Sequence, residues 1–406
     1  MRRPIATLVV CALVAPAIMF LLLWWPLRAN ALGTSGDFIA FYGAGKLVRQ
    51  GRVSGLYDFD QQLAVQQEFT GHRDPLPFIH APFEVWLFLP LAYFSFSTAY
   101  LLWTFSNLSL LGLLLFLLRP YGAEFGTVER LILVGVSFYP ALTTILQGQD
   151  SFLVLLAYAL AYIGLKKNRD FQAGGWLAAG LVKFQTILPF VFIFLLGRRL
   201  KFFYGFLFGS AAVVLASLLL VGPAGLFQYV QFLSRMNAPG HETPHIYPAG
   251  MPNLRGIVDL LLAGKVSNPI RTGSILILSL LLIVWASRKL GTKSDPTERT
   301  FELKFAFAIL IVLLTSYYLF LHDLTPLILS AFLILNHFKA MGERWSSRKL
   351  SLALPLILLF PLELALTSLG FKQFSLLFFF LLALTIAVAR EVSRLSIEST
   401  ERAHSL

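Results

Sequence analysis

The chain has 406 residues, 57% of them hydrophobic and only 13% charged, with a mean hydropathy of +0.73. Soluble domains carry about 25% charged residues, so this chain has half the charge needed to wet a globular surface, and a water-soluble enzyme of ordinary size is excluded. The net charge of +12 does not point to nucleic acid either, because the Lys and Arg residues sit in short clusters between apolar runs, as the positive-inside bias requires.

Apolar runs of bilayer-spanning length, about 17–25 residues, recur along the chain. The expected class is therefore an all-α polytopic membrane protein, a single integral-membrane domain over 1–406. The first run, 5–27, follows Arg2 and Arg3. It exceeds the roughly 7–15 apolar residues of a signal peptide, so it reads as a retained anchor despite Ala29-Asn30-Ala31 beyond it. Cys11 lies within this run and is the only cysteine, so no intrachain disulfide can form; it reads as a small apolar residue.

The first loop, 28–81, is the longest polar segment. It opens with TSGDFIAFYGAG and its acid, Asp37. The spacing of Phe38, Phe41, Tyr42 and Gly45 predicts a short amphipathic helix over 38–48, and 60–69 predicts a second, both lying in the membrane interface. Segment 82–94 is too short to span and reads as re-entrant or broken. Spans follow at 98–118, 128–146 and 151–165. The stretch 171–196 is apolar but interrupted by Lys183-Phe184-Gln185. Further spans are expected at 202–221, 270–287, 305–321, 324–338, 350–369 and 374–389, about 11–13 spanning or broken helices in all by length. A second long loop, 223–269, holds a short apolar piece at 254–262. No repeat of fixed period and no low-complexity segment appear in the sequence.

Charge sets the orientation. Clusters around Arg2, Arg119, Lys166, Arg198, Arg288, Lys339 and Arg390 all face the cytoplasm under two conditions: 82–94 enters and leaves on the outer side, and 171–196 is a hairpin of two half-length helices with its tip near Lys183. Asp37, Gln147-Gly148-Gln149-Asp150, Lys183, the 223–269 loop and His322-Asp323 then converge on the outer face. If 82–94 crosses outright, several later segments invert.

Each polar residue has a bland reading and a functional one. A lysine at bilayer depth costs roughly 2.5–3.5 kcal/mol, so Lys183 either makes a salt bridge inside the bundle or, beside a helix break, holds a phosphate. Asp323 reads as an N-cap with Pro326 in the first turn, which leaves His322 unexplained except as a site residue. Asp150 reads as the cap of the helix starting at Ser151, with Gly148 making the turn; Gln149 is the residue there that the turn does not need. His241 and His245 lie in a Pro-rich loop that disfavours a helix, so they read as part of a substrate-covering loop rather than a metal pair. No Walker loop, GxGxxG fingerprint, HExxH or paired-cysteine signature is present. An outward-facing membrane enzyme with no nucleotide-binding domain needs a donor already activated on a lipid.

Several short motifs in order resemble one family: Gly36-Asp37-Phe38 with Tyr42, Ala44 and Gly45; Gly51 and Leu56-Tyr57-Asp58; Pro82 and Pro90-Leu91; Trp103 and Asn107; Gly148-Gln149-Asp150-Ser151; Ala179-Gly180-Leu181-Val182-Lys183 with Pro189; and Tyr317-Tyr318 with His322-Asp323. The chain resembles the GT-C membrane glycosyltransferases, and within them glycosyltransferase family 87, which includes polyprenyl-phosphate-mannose-dependent mannosyltransferases. It departs where Phe184 stands in place of a frequent Pro, and where His80-Ala81-Pro82 replaces Tyr-x-Pro-Pro; neither change removes a chemical group that the family uses. The resemblance implies a hexose, mannose in the first instance, carried on polyprenyl phosphate in the membrane lipid. The acceptor would be a glycolipid or polysaccharide hydroxyl on the outer face of a bacterial inner membrane. It implies Asp37 as general base; the leaving phosphate then needs cations, for which Lys183 and His322 are the candidates, with Tyr42, Gln149, Asp323, His241 and His245 expected about the substrate and no metal, no cofactor and no nucleic-acid partner. A lipid or sugar flippase, or a non-catalytic subunit of an envelope polysaccharide assembly, are the competing readings.

Overall fold

The computed structural model describes residues 36–71, 76–122, 125–236, 247–291, 300–342, 346–368 and 373–404. The expected anchor at 5–27 with Cys11, and the loop histidines His241 and His245, lie outside them. Among the described residues every regular element is a helix and none is a strand. Six helical runs have the length and apolar composition of a bilayer span, one of them the stretch 170–196 that folds back on itself, and together they make this an all-α integral membrane protein.

The first loop folds into α1 (Phe38–Arg49) and α2 (Phe59–Thr70), then the broken segment that holds α3 (Val85–Phe88). The spans begin with α4 (Phe96–Leu118), α5 (Thr127–Gln147) and α6 (Ser151–Lys166). The half-helices α7 (Asp170–Ala178) and α8 (Phe184–Leu196) follow, and then α9 (Leu200–Met236), α10 (Leu254–Leu262), α11 (Asn268–Leu290), α12 (Phe301–Thr315), α13 (Pro326–Ala340), α14 (Ser347–Ser368) and α15 (Phe378–His404). Ser95 starts α4 by accepting from Thr98 N, and Gly148, at φ +65°, ends α5 in the left-handed conformation that favours glycine. Helix α12 is hydrophobic all round, and Leu303 and the whole run 305–314 are buried; such a helix belongs at the centre of a bundle. Helices α9 and α11 expose most of their apolar surface and form the perimeter.

The interruption at Lys183 turns the chain back. A straight helix over 170–196 would be about 40 Å long. Yet Asp170 Oδ2 lies 3.5 Å from Arg199 Nη1, and Arg199 N bonds to Phe194 O at 3.0 Å, so both ends of the stretch sit at one level. A Cβ on Gly180 would meet Ile187 Cδ1 at 2.7 Å, which places the two arms side by side. Lys183 itself stands away from helical values, at φ −125°, ψ 67°. The expected hairpin is therefore present, and its rising arm packs along α9 through glycines: a Cβ on Gly174 would come within 1.9 Å of Phe202 O, and one on Gly205 within 1.9 Å of Phe171 O. Small residues allow this backbone approach, as in membrane helix pairs generally.

The apolar face of helix α1 is covered by protein: its residues from Phe38 to Ala44 are all buried, and Phe41 stacks on Phe88 at 4.5 Å, an arrangement worth about 0.5–1.5 kcal/mol beyond area burial. Two expectations change. The span expected at 202–221 continues past a break at Gly222 to Met236, so the second loop begins later, and Tyr229 and Phe232 pack on Tyr57 at 5.0 and 5.7 Å. The span expected at 305–321 ends at Thr315, and Ser316 is already extended. Segment 82–94 is broken as expected and seats against α9, with Phe83 N donating to Ser217 Oγ and Trp86 Nε1 to Ala216 O.

Candidate active site

The α5–α6 turn is the floor of the site, and α4 holds it. Tyr100, Trp103 and Asn107, one face of α4 at helical spacing, donate to the carbonyls of Ile145 and Leu146, of Gly148 and of Gln149, at 2.8–3.1 Å. Helix α1 packs directly over this turn; a side chain at Gly148 would meet Phe38 Cβ at 2.6 Å. The connection from α12 to α13 docks from the other side, where Thr325 Oγ1 donates to Ser151 O at 3.0 Å. Three chain interruptions thus meet at one point: the turn, the tip of the hairpin and the 316–325 connection.

Their polar side chains form a chain of contacts. Gln149 donates through Nε2 to Asp37 Oδ2 and accepts through Oε1 from Lys183 Nζ at 2.9 Å. Lys183 Nζ also meets Asp323 Oδ1 at 2.5 Å and Asp150 Oδ1 at 3.4 Å. Asp323 accepts from Phe320 N at 2.9 Å and lies 3.4 Å from His322 Nε2, whose Nδ1 meets Gln147 Oε1 at 2.5 Å. An open cavity of about 160 Å³ is lined by Asp37, His80, Gln149, Lys183, His322 and Asp323 among others, with apolar walls from Phe41, Val182 and Phe320.

Asp37, Gln149, Lys183, His322 and Asp323 are thus brought together. Tyr42 is not: it is buried among Phe38, Phe69 and Phe96, and its hydroxyl donates to Phe94 O at 2.8 Å, so it packs the first loop rather than facing the cavity. Asp150 makes no side-chain cap on α6; its carboxylate turns to Lys183, because a buried acid gains more from a cation than from a backbone amide. Asp323 caps the 3₁₀ turn at Leu321–Leu324 through Phe320 N, and α13 starts later, at Pro326. Lys183 makes the salt bridge of its bland reading while lining the cavity of the other.

Glu84 is a site residue beyond those expected, and so is His80, which stands in the sequence only as a departure from the family's entry motif. The available signal was an acid inside the apolar stretch PFEVWLFLP, one helical turn after a histidine. Burial pushes the Glu84 carboxyl up to about 8, with His80 pulling it down and Asp150 pushing it further up.

The family model for glycosyltransferase family 87 matches residues 78–316, more than half of the chain. The chain belongs to glycosyltransferase family 87. No curated protein and no solved structure matches it. Family membership makes it a membrane-embedded glycosyltransferase. The matched stretch carries His80, Glu84, Gln149, Asp150 and Lys183; His322 and Asp323 fall just beyond its end, and Asp37 lies well before its start.

Proposed function

We propose that this family 87 protein transfers a hexose, mannose in the first instance, from polyprenyl phosphate to a hydroxyl of a glycolipid or polysaccharide on the outer face of a bacterial inner membrane, with inversion. The observation that carries the reading is a cavity in which Gln149 joins an acid, Asp37, to a lysine, Lys183, with His322 in the same lining. Asp37 takes the proton of the acceptor hydroxyl as its oxygen attacks the anomeric carbon. The bond from that carbon to the phosphate oxygen breaks, and polyprenyl phosphate leaves as an anion that needs no protonation. Gln149 Nε2 keeps the Asp37 carboxylate oriented toward the acceptor, Lys183 supplies the positive charge that meets the leaving phosphate, and the His322 imidazole is a polar contact for the same group. No step in this scheme passes through a metal ion.

Membranes containing the protein, supplied with polyprenyl-phosphate [³H]mannose and envelope lipid extract, test the reading. Label should move to the acceptor, and Asp37→Asn should lower the rate at least 10²-fold, the scale of a lost general base. Appreciable turnover by Asp37→Asn would remove the base assignment, and movement of lipid across the bilayer without transfer would favour a flippase.

A further inference from the structure

We propose that His80, Glu84 and Asp150 form a binding site for one divalent first-row metal ion, directly behind Lys183. One ligand atom from each lies within 4.8 Å of the others. Glu84 and Asp150 are both fully buried, and among the described residues no donor meets their four carboxylate oxygens with good hydrogen-bond geometry. Their contacts are ionic: His80 Nδ1 is 2.9 Å from Glu84 Oε2, and Lys183 Nζ is 3.4 Å from Asp150 Oδ1. Buried polar atoms are otherwise satisfied almost everywhere in folded proteins, and two adjacent carboxylates left this way are arranged for a cation.

The charge balance points the same way. Asp150 and Asp323 share one lysine, and Lys183 is committed to Asp323 at the shorter distance. A divalent ion answers Asp150 and takes Glu84 and His80 as its further ligands. One imidazole nitrogen with two carboxylates suits zinc or manganese rather than calcium or magnesium, which favour oxygen alone. Around zinc, ligand atoms stand about 3.4 Å apart at bond lengths near 2.1 Å, so closure takes side-chain shifts of about an ångström. Tyr57 fixes the backbone of the first ligand by donating to His80 O at 2.9 Å, and the imidazole packs edge-on to Phe41 at 4.8 Å. Such outer contacts are what hold ligands in place. His80 also lines the cavity, which gives the ion a path in.

One consequence rests on the proposed function: an ion that takes the charge of Asp150 releases one side of Lys183 for the donor phosphate. The site itself does not depend on that reading, and it is tested without any sugar donor. Full-length protein in detergent, stripped with EDTA, is titrated with Zn²⁺, Mn²⁺ and Co²⁺. About one ion per chain should bind, a d–d absorption band should appear with Co²⁺, and each of Glu84→Gln, Asp150→Asn and His80→Asn should weaken binding at least tenfold. His80 is the least buried of the three, so its variant serves if the other two do not fold. No binding of any of the three ions by the wild-type protein would show that the carboxylates are neutralised by a shared proton instead. Equal binding by all three variants would place the ion elsewhere. Either result overturns the proposal.

Discussion

Replacing Lys183 with methionine isolates the charge at the hinge of the hairpin. The two side chains are similar in length, so little packing is lost, and what changes is the cation. In the wild type Nζ contacts Asp323 Oδ1 at 2.5 Å, Gln149 Oε1 at 2.9 Å and Asp150 Oδ1 at 3.4 Å, with only 4% of the lysine side chain exposed and 3% and 0% of the two acids. Removing one partner of a buried pair costs about 3–5 kcal/mol, most of it the charge left behind. For a chain of 406 residues this corresponds to a melting shift of roughly 3–10 °C, at about 1–2 °C per kcal/mol when the known scaling is carried to this size. Two acids lose their cation at once, so the upper part of that range is expected. Asp323→Asn in the Lys183→Met background should return part of the loss, because the asparagine still accepts from Phe320 N and no longer carries the charge. The coupling in the double-mutant cycle should then be about 1–3 kcal/mol. The assay is thermal unfolding in detergent of wild type, both single variants and the double. A Lys183→Met protein that melts within a degree of wild type, or single losses that add with no coupling, would refute the assignment of Lys183 as the shared counter-charge.

Gly174→Ala should destabilise by about 1–3 kcal/mol, since the new methyl meets backbone at Phe202 O, 1.9 Å away. Gly273→Ala, which faces open space, should be neutral or slightly stabilising, and melting curves of the pair separate close packing from helix propensity. Tyr42→Phe should lose only the hydroxyl bond to Phe94 O, about 1 kcal/mol of stability, and keep transfer within twofold; a large loss of rate at normal protein level would return Tyr42 to the substrate. Cysteines placed at Arg169 and Tyr247, both exposed, in a Cys11→Ser background should label from opposite sides of the membrane, and labelling from one side would break the charge-derived topology.

Much of the fold was legible because lipid imposes two rules that show in sequence: spans must be apolar for a set length, and breaks must be polar or short. Lys183 inside an apolar run announced the hairpin for this reason. The end of α12 was hidden because Tyr317, Tyr318, Leu319 and Phe320 have the composition of a span while their backbone is not helical. The setting of α1 was hidden for another reason. An apolar face reads the same whether it meets lipid or protein, and only the tertiary partners Phe78, Phe88 and Trp103 decide it. At the site, the residue types were readable and the pairings were not. Capping is a local rule, and Asp150 obeys a contact with Lys183, 33 positions away in a chain where both are buried.

The depth at which the helices break has a functional logic. Irregular backbone inside a bilayer is tolerated only where it lines protein or a polar cavity, and here the α5–α6 turn, the hairpin tip and the 316–325 connection all break at the same place. Each break delivers polar side chains to the cavity: Gln149 from the turn, Lys183 from the hairpin tip, and His322 and Asp323 from the connection. Asp37 comes from a fourth, the start of α1, which is packed on the turn at Gly148. The hairpin is the element whose position is set from farthest off, since Gly174 lies nine residues before Lys183, about 14 Å along a helix. Close packing at Gly174 and Gly205 therefore fixes the height of the lysine, and a bulkier residue there should impair transfer even where the protein still folds, because a displacement of about 1 Å at a reacting group is enough to cost 10²-fold in rate.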